Sequence, residues 1–168
     1  AEFVGVPEVV RVGEGLHVFY GCHAAAGEVD YFAAGGAGNV SPSPNHVNKR
    51  EAPLEFRVNS GMTGSMSVGV NLLKCGDEEL DKLKAAVSRF KTLRPGLQDA
   101  YVYRVASAHE HPYSVLQYVK RDRTGFTLFA FGHGMRQWEK QSQRFRMRGL
   151  DPKAVYVSES GKKLSGAA

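Results

Sequence analysis

The sequence predicts two architectures in succession, α/β and then all-β, with a helix, strand and helix from Leu54 to Pro95 followed by alternating strands beyond a boundary at residues 95–99. Three observations carry that prediction. Apolar residues recur at helical spacing over Leu54–Met62 and again over Leu80–Leu93, on either side of a short strand-like run; after Pro95 they alternate as in half-buried strands; and the alternating runs are separated by regular turn signals. Residues 1–39, with the small-residue run AAAGEVDYFAAGGAGN, hold no sustained period and are read as mixed strand, turn and loop.

Leu54, Val58 and Met62 fall at i, i+4 and i+8, which lines one face of a short helix that begins after Pro53 and stops near Gly64. Residues 65–73, SMSVGVNLL, are read as a strand because the run is short, partly β-branched and broken by Gly69. Asp77 is the predicted N-cap of the next helix, and Glu78 and Glu79 sit in its first turn, where the helix dipole favours negative charge. Leu80, Leu83, Val87, Phe90 and Leu93 form its apolar stripe, Lys91 and Arg94 lie near its end, and Pro95 with Gly96 is expected to stop it. The change of period there marks the expected domain boundary, at residues 95–99.

Beyond it the predicted strands are YVYRV (101–105), SVLQYV (114–119), FTLFAF (126–131), RFRMR (144–148) and AVYVS (154–158). Turn residues stand between them, at His111-Pro112, Asp122 to Gly125, Gly132 to Gly134, Gly149 to Pro152 and Ser160-Gly161. This spacing predicts an antiparallel sandwich or a small barrel. FTLFAF is apolar on both faces and should be central. In RFRMR, Phe145 and Met147 point one way and Arg144, Arg146 and Arg148 the other, as on the wet face of an outer strand.

Composition excludes more than it identifies. The 168 residues have room for one ordinary domain or the tail of a larger protein, and no apolar run approaches the roughly 20 residues of a bilayer-spanning helix. The start, AEFVGVPEVVRVGEG, lacks a basic stretch followed by a continuous apolar one, so no signal peptide is visible; no localisation follows. The net charge of +5 is spread along the chain without a nucleic-acid motif and is read as solvated surface, with no membrane or nucleic-acid partner. Cys22 and Cys75 lack metal-ligand spacing and are read as free, buried thiols. The pair in His109-Glu110-His111 is read as a solvated turn, and His133 in FGHGM as a hairpin-tip residue. The acidic residues are accounted for by helix ends and turns, and there is no GxSxG, phosphate-binding loop or dinucleotide fingerprint.

Several blocks nevertheless recur in one order: VSPSPNHVNKREAPLEFR, GMTGSMSVGVNLLK leading to DEELDKLK, RFKTLRP, and FRMRGLDPKAVYVSESGKKLSGAA. From Val40 onward the chain resembles the C-terminal part of α-galactosidases of the melibiase type, glycoside hydrolase family 36. The resemblance implies the last βα units of a catalytic (β/α)8 barrel over residues 40–95, followed by a C-terminal antiparallel β-sandwich over residues 96–168. Residues 1–39 do not follow the pattern and stay unassigned. On this placement one barrel strand ends at Val40, and the next is SMSVGV. The loop SPSPNH then lies at the barrel mouth, where active sites of this architecture are built. Asn45 and His46 become substrate-binding candidates, the alternative being that they only hydrogen-bond neighbouring loops.

The family's two catalytic aspartates, in a KWD-type and an SDN-type motif, lie upstream of the matched region, and neither motif is present. No catalytic residue, metal or organic cofactor is therefore assigned, and Glu14, Glu28 and Asp30 lack the flanking residues. The implied partners are α-galactoside oligosaccharides such as melibiose and raffinose and the N-terminal part of the same enzyme, with homo-oligomerisation left open. Two strands cannot close a barrel, so Val68, Val70 and Leu72 are expected to leave apolar surface uncovered. Two readings compete: a non-catalytic carbohydrate-binding sandwich using exposed Tyr113, Tyr118 or Trp138, and a nucleic-acid binder using Arg144, Arg146 and Arg148.

Overall fold

The computed structural model describes residues 2–5, 11–12, 16–20, 37–45, 49, 51–107, 109–111, 113–132, 143–158 and 161–167. Its elements are β1 (Glu2–Gly5), β2 (Arg11–Val12), β3 (Leu16–Tyr20), β4 (Ala37–Val40), α1 (Leu54–Met62), β5 (Ser65–Val68), a 3-10 turn (Leu72–Lys74), α2 (Asp77–Gln98), β6 (Ala100–Ala106), β7 (Tyr113–Lys120), β8 (Phe126–Gly132), β9 (Gln143–Arg146), β10 (Val155–Val157) and β11 (Lys163–Ser165).

β4 and β5 pair in parallel, from Ala37 opposite Ser65 to Val40 opposite Val68. A parallel pair cannot be joined by a tight turn, so the chain crosses back through α1. The helix begins after Pro53, whose carbonyl accepts the first helical bond from the Arg57 N–H at 3.2 Å. Val58 and Met62 are buried and Leu54 is half-buried, as the spacing predicts. Phe56, Arg57, Asn59 and Gly61 are buried as well, so α1 is enclosed around most of its circumference. The approach to β4 is backbone to backbone: a Cβ on Gly38 would lie 2.1 Å from the Gly61 carbonyl oxygen.

Two boundaries differ from expectation. The strand expected over 65–73 ends at Val68, because the Asn71 side chain accepts the Leu73 N–H at 3.1 Å and folds the backbone into the 3-10 turn. A local acceptor has there displaced a ladder partner. α2 is capped by Gly76 rather than Asp77, with Asp77, Glu78 and Glu79 filling its first turn. It does not stop at Pro95 and Gly96 but runs to Gln98. Proline near a helix end removes one N–H, and the burial of Leu97 in line with Leu83 and Phe90 keeps the last turn docked.

The five-stranded sheet runs β2-β3-β8-β7-β6. β6, β7 and β8 are antiparallel as the alternation predicts, whereas β3 joins β8 in parallel, Val18 opposite Ala130. β8 is central, and both its faces and those of β7 are buried. Leu116, Tyr118, Phe129 and Phe131 pack on Phe56, Met62, Phe90 and Leu97 of the helices. Val115, Val119, Leu128 and Ala130 pack on Phe145, Met147, Leu150 and Tyr156. The first core runs continuously from α1 and α2 into the sheet. Tyr118 adds a polar tie across it, its hydroxyl donating to the Thr63 carbonyl at the end of α1.

β9 pairs with β1, and Phe145 and Met147 are buried while Arg146 and Arg148 are exposed, as expected of an outer strand; the side chain of Arg144 lies outside what is described. β10 matches the expected AVYVS strand and pairs with β11. The fully buried Gln117 ties β7 to this layer, donating to the Arg148 carbonyl at 3.1 Å and accepting the Arg148 N–H at 2.8 Å. Val68 and Leu72 are exposed, as expected, and Val70 is half-buried. Among the described residues no helix is long and apolar enough to cross a membrane.

Two substitutions test this packing in denaturant titrations. Gly38→Ala forces a methyl into the Gly61 carbonyl and should cost about 3 kcal/mol. Gln117→Ala removes both hydrogen bonds to the part-buried backbone of Arg148 and should cost about 1–3 kcal/mol. Midpoints equal to the parent's would show that neither contact supports the fold.

Candidate functional site

Because β4 and β5 run in parallel, the segments that leave Val40 and Val68 emerge at one edge, and the Gly69 N–H donates to the Val40 carbonyl at 3.1 Å across it. An added Cβ on Gly69 would lie 2.7 Å from the Asn39 amide oxygen, so a side chain there would displace that amide. On the face of the pair turned from α1, the Ser67 hydroxyl lies 3.0 Å from the Gly38 carbonyl and 3.2 Å from Asn39 Oδ1.

The loop after β4 folds back on itself. Ser43 Oγ accepts the Ala52 N–H at 3.1 Å, and the Asn45 carbonyl accepts the Lys49 N–H at 2.9 Å. Lys49 takes a left-handed backbone, φ 57°, to make that bend, and the Ser43–Pro44 peptide bond is cis. Asn45 is half-buried in this loop at the shared edge. His46 lies outside the described residues.

Arg57, which the sequence reading did not single out, organises the loop from beneath. From α1 its Nη1 donates to the Ser41 carbonyl at 2.8 Å, Nε to the Ala52 carbonyl at 3.1 Å and Nη2 to Glu79 Oε1 at 3.3 Å. One buried guanidinium thus holds both ends of the Ser41–Ala52 loop and the first turn of α2. Its signal was an arginine flanked by the apolar Phe56 and Val58, with a cluster of acids opening the following helix.

Below Glu79 lies Cys75, free and half-buried rather than buried as expected. Burial raises the pKa of its thiol and the Glu79 carboxylate raises it further, which disfavours the thiolate. Cys22, His133 and Trp138 lie outside the described residues. A cleft of about 250 Å³, lined by Thr63, Ser65, Leu97 and Tyr118, opens at the opposite end of β5 from the SPSPNH loop.

Tyr113 and Tyr118 are 1% and 3% exposed, which corrects their reading as exposed aromatics. Tyr113 packs on Phe145 and Tyr118 on Phe129, both edge to face. Their positions on the doubly buried β7 leave no open face for a sugar ring. His109 and Glu110 are exposed on a turn, where the Glu110 and His111 N–H groups donate to the Ser107 carbonyl at 3.2 and 2.9 Å. His111 is instead half-buried against Tyr113 and Phe145, and its Nδ1 accepts the Tyr113 N–H at 3.1 Å. Among the described residues no group of three His, Cys, Asp or Glu is placed to hold a metal ion.

His111 makes stability pH-dependent. Burial lowers its pKa, so the unfolded chain takes the proton more readily than the folded one. The contribution of the neutral ring is complete above the unfolded pKa of about 6.5 and is lost as pH falls below it. Denaturant midpoints should therefore drop more between pH 7.5 and 5.5 in the parent than in His111→Gln; equal drops would refute this origin.

Comparison with known proteins gives the arrangement a family. Residues 29–99 match the Melibiase model and residues 113–168 the Glycosyl hydrolase family 36 C-terminal domain model. The first match begins upstream of Val40, where the motif resemblance starts. The "Probable alpha-galactosidase C" of Aspergillus terreus is 28% identical over 130 residues, 77% of this chain and 17% of that protein. Alpha-galactosidase AgaA of Geobacillus stearothermophilus is 27% identical over 121 residues, 72% of this chain and 16% of that protein. The solved alpha-galactosidase AgaB of the same organism superimposes with a TM-score of 0.78 at 25% identity, over 85% of this chain and 21% of that one. The chain thus spans about a fifth or less of the relatives it matches. With both models in series along its length, it belongs to glycosyl hydrolase family 36 and corresponds to the C-terminal portion of its α-galactosidases.

Proposed function

We propose that this chain is the C-terminal part of a retaining α-galactosidase that releases terminal α-linked galactose from oligosaccharides such as melibiose and raffinose. Residues 40–95 supply the last βα units of its (β/α)8 barrel, and residues 96–168 its C-terminal β-sandwich domain. The observation that carries the reading is the parallel β4-α1-β5 unit, which sends the SPSPNH loop and the segment after Val68 out at one edge. In a (β/α)8 barrel that edge is the catalytic face. A solved relative, AgaA, was crystallised with raffinose, which supports the substrate class.

In this reading the chain binds and orients rather than cleaves. Retaining hydrolysis needs a nucleophilic carboxylate and a proton donor about 5–5.5 Å apart across the anomeric carbon. Both come from upstream sequence, and Asn45 and His46 supply hydrogen bonds to the sugar from the loop at the barrel mouth. The burial of Tyr113 and Tyr118 counts against the alternative of a free-standing carbohydrate-binding module.

The test is kinetic. The complete polypeptide carrying this sequence should hydrolyse a chromogenic α-galactoside and release galactose first as the α-anomer in time-resolved NMR; the 168 residues alone should not. Initial release of the β-anomer would exclude retention, and turnover by the short chain would exclude the division of labour. Asn45→Ala and His46→Ala in the complete enzyme should each lower kcat/KM about tenfold, the loss of one good hydrogen bond to substrate. Values equal to the parent's would remove both residues from the pocket.

A further inference from the structure

We infer that Arg57 is a positioning residue for the sugar-facing loop, setting Asn45 by fixing both ends of the segment that carries it. The inference rests on the proposed placement of that loop at the substrate pocket. Its physical ground is independent of the placement. A loop anchored only by its flanking elements can pivot about its ends, and small misplacements of a binding group cost large factors in rate. Here the pivot is blocked by one side chain, because Ser41 and Ala52, at opposite ends of the loop, both offer their carbonyls to the same guanidinium.

The chemistry calls for arginine. Its donors lie in a rigid plane and point in different directions, so Nε and Nη1 reach two carbonyls while Nη2 turns to Glu79. A lysine ammonium is a single point on a flexible stem and cannot span both carbonyls. Arg57 is only 9% exposed, so the positive charge is taken from water and its donors must be met inside. Glu79 meets the charge, and the loop carbonyls meet the remaining geometry. Without the loop in this conformation those donors would be buried unpaired, so the guanidinium selects the loop conformation as much as the loop shields the guanidinium. Ser43 adds a second latch from within, bonding to the same residue, Ala52, by its N–H. Arg57 lies beneath the loop on the helix, which makes its role positional rather than one of substrate contact.

The experiment uses the complete enzyme with Arg57→Lys, Arg57→Met, Asn45→Ala and the double variants of each Arg57 change with Asn45→Ala. Two readouts are taken well below the melting temperature: kcat/KM on a chromogenic α-galactoside, and hydrogen exchange of the peptide spanning residues 41–52 against that spanning 77–98. Arg57→Lys is expected to fold, to lose about tenfold or more in kcat/KM, and to speed exchange in 41–52 only. Because Arg57 acts through the loop, adding Arg57→Lys to Asn45→Ala should cost less than it does in the parent. An unchanged loop exchange, or full additivity with Asn45→Ala, would overturn the inference, as would acceleration spread equally over both peptides, the mark of a merely structural residue. Should Arg57→Met fail to fold, Arg57→Lys decides alone. If Asn45→Ala and His46→Ala both keep parental kcat/KM, the pocket placement is what fails, and the exchange comparison still judges the clamp.

Discussion

The backbone contact between Gly38 and Gly61 is the constraint on which the α/β part of the molecule turns. Two parallel strands must be bridged by a crossover, and the crossover must lie on the strands it connects. With no side chain at either position, α1 settles directly on β4, and a Cβ added to Gly61 would lie 3.3 Å from Val40 Cγ2. That approach brings Phe56 and Met62 down onto Phe131, Leu116 and their neighbours, and so joins the βαβ unit to the sheet through one core. It also fixes where Arg57 points, because a helix that cannot slide on its strand carries its other faces in a set direction.

The sheet does for the second half what this contact does for the first. β7 and β8 are walled on both faces, one by helices and the other by β9, Leu150 and Tyr156. A strand buried on both sides leaves polar side chains only where they have partners. Gln117 is the case in point, for it replaces an apolar contact with two bonds to the backbone of Arg148 and so sets the register of the chain beyond β9. Tyr156 serves a similar end, its hydroxyl accepting the Asp151 N–H at 2.9 Å and donating to the Arg123 carbonyl at 2.7 Å.

What could be read from the sequence follows from how local the cause is. The periodicity of Val58 and Met62, the dual-face hydrophobicity of FTLFAF and the alternation of Phe145 and Met147 are one-dimensional records of burial, and each has its counterpart in the structure. Pro95 misled because a local rule against proline met a tertiary reward, the docking of Leu97. The strand over 65–73 was cut short by a single side-chain acceptor, Asn71, whose competing bond has no periodic signature. Tyr113 and Tyr118 carry no mark that distinguishes a core aromatic from a sugar platform until the second wall of β7 is known. β3, a parallel partner of β8 more than a hundred residues away, leaves no trace in local pattern. For the candidate site, motif order located the loop with Asn45, whereas Arg57 stayed hidden among apolar neighbours, since two of its three partners are backbone carbonyls that every residue possesses.

The uncovered face of the β4-β5 pair bears on what the family placement requires of this chain. Parallel sheets in folded domains are covered on both faces. Here α1 covers one, receiving Gly38, Val40 and Met66, while Asn39, Ser65 and Ser67 on the other are exposed. Had that second face been meant for a packed helix, small polar residues would be a costly choice, since each buried hydroxyl or amide would need a partner. Asn39 and Ser67 already lie within hydrogen-bond distance of each other, at the end of the strands where the loops emerge. Exposed polar side chains at that edge are compatible with an inward, wet lining near a mouth and ill suited to a dry helix interface. The polarity of this face therefore argues for the same edge as the loop held by Arg57, from residues that the loop does not touch.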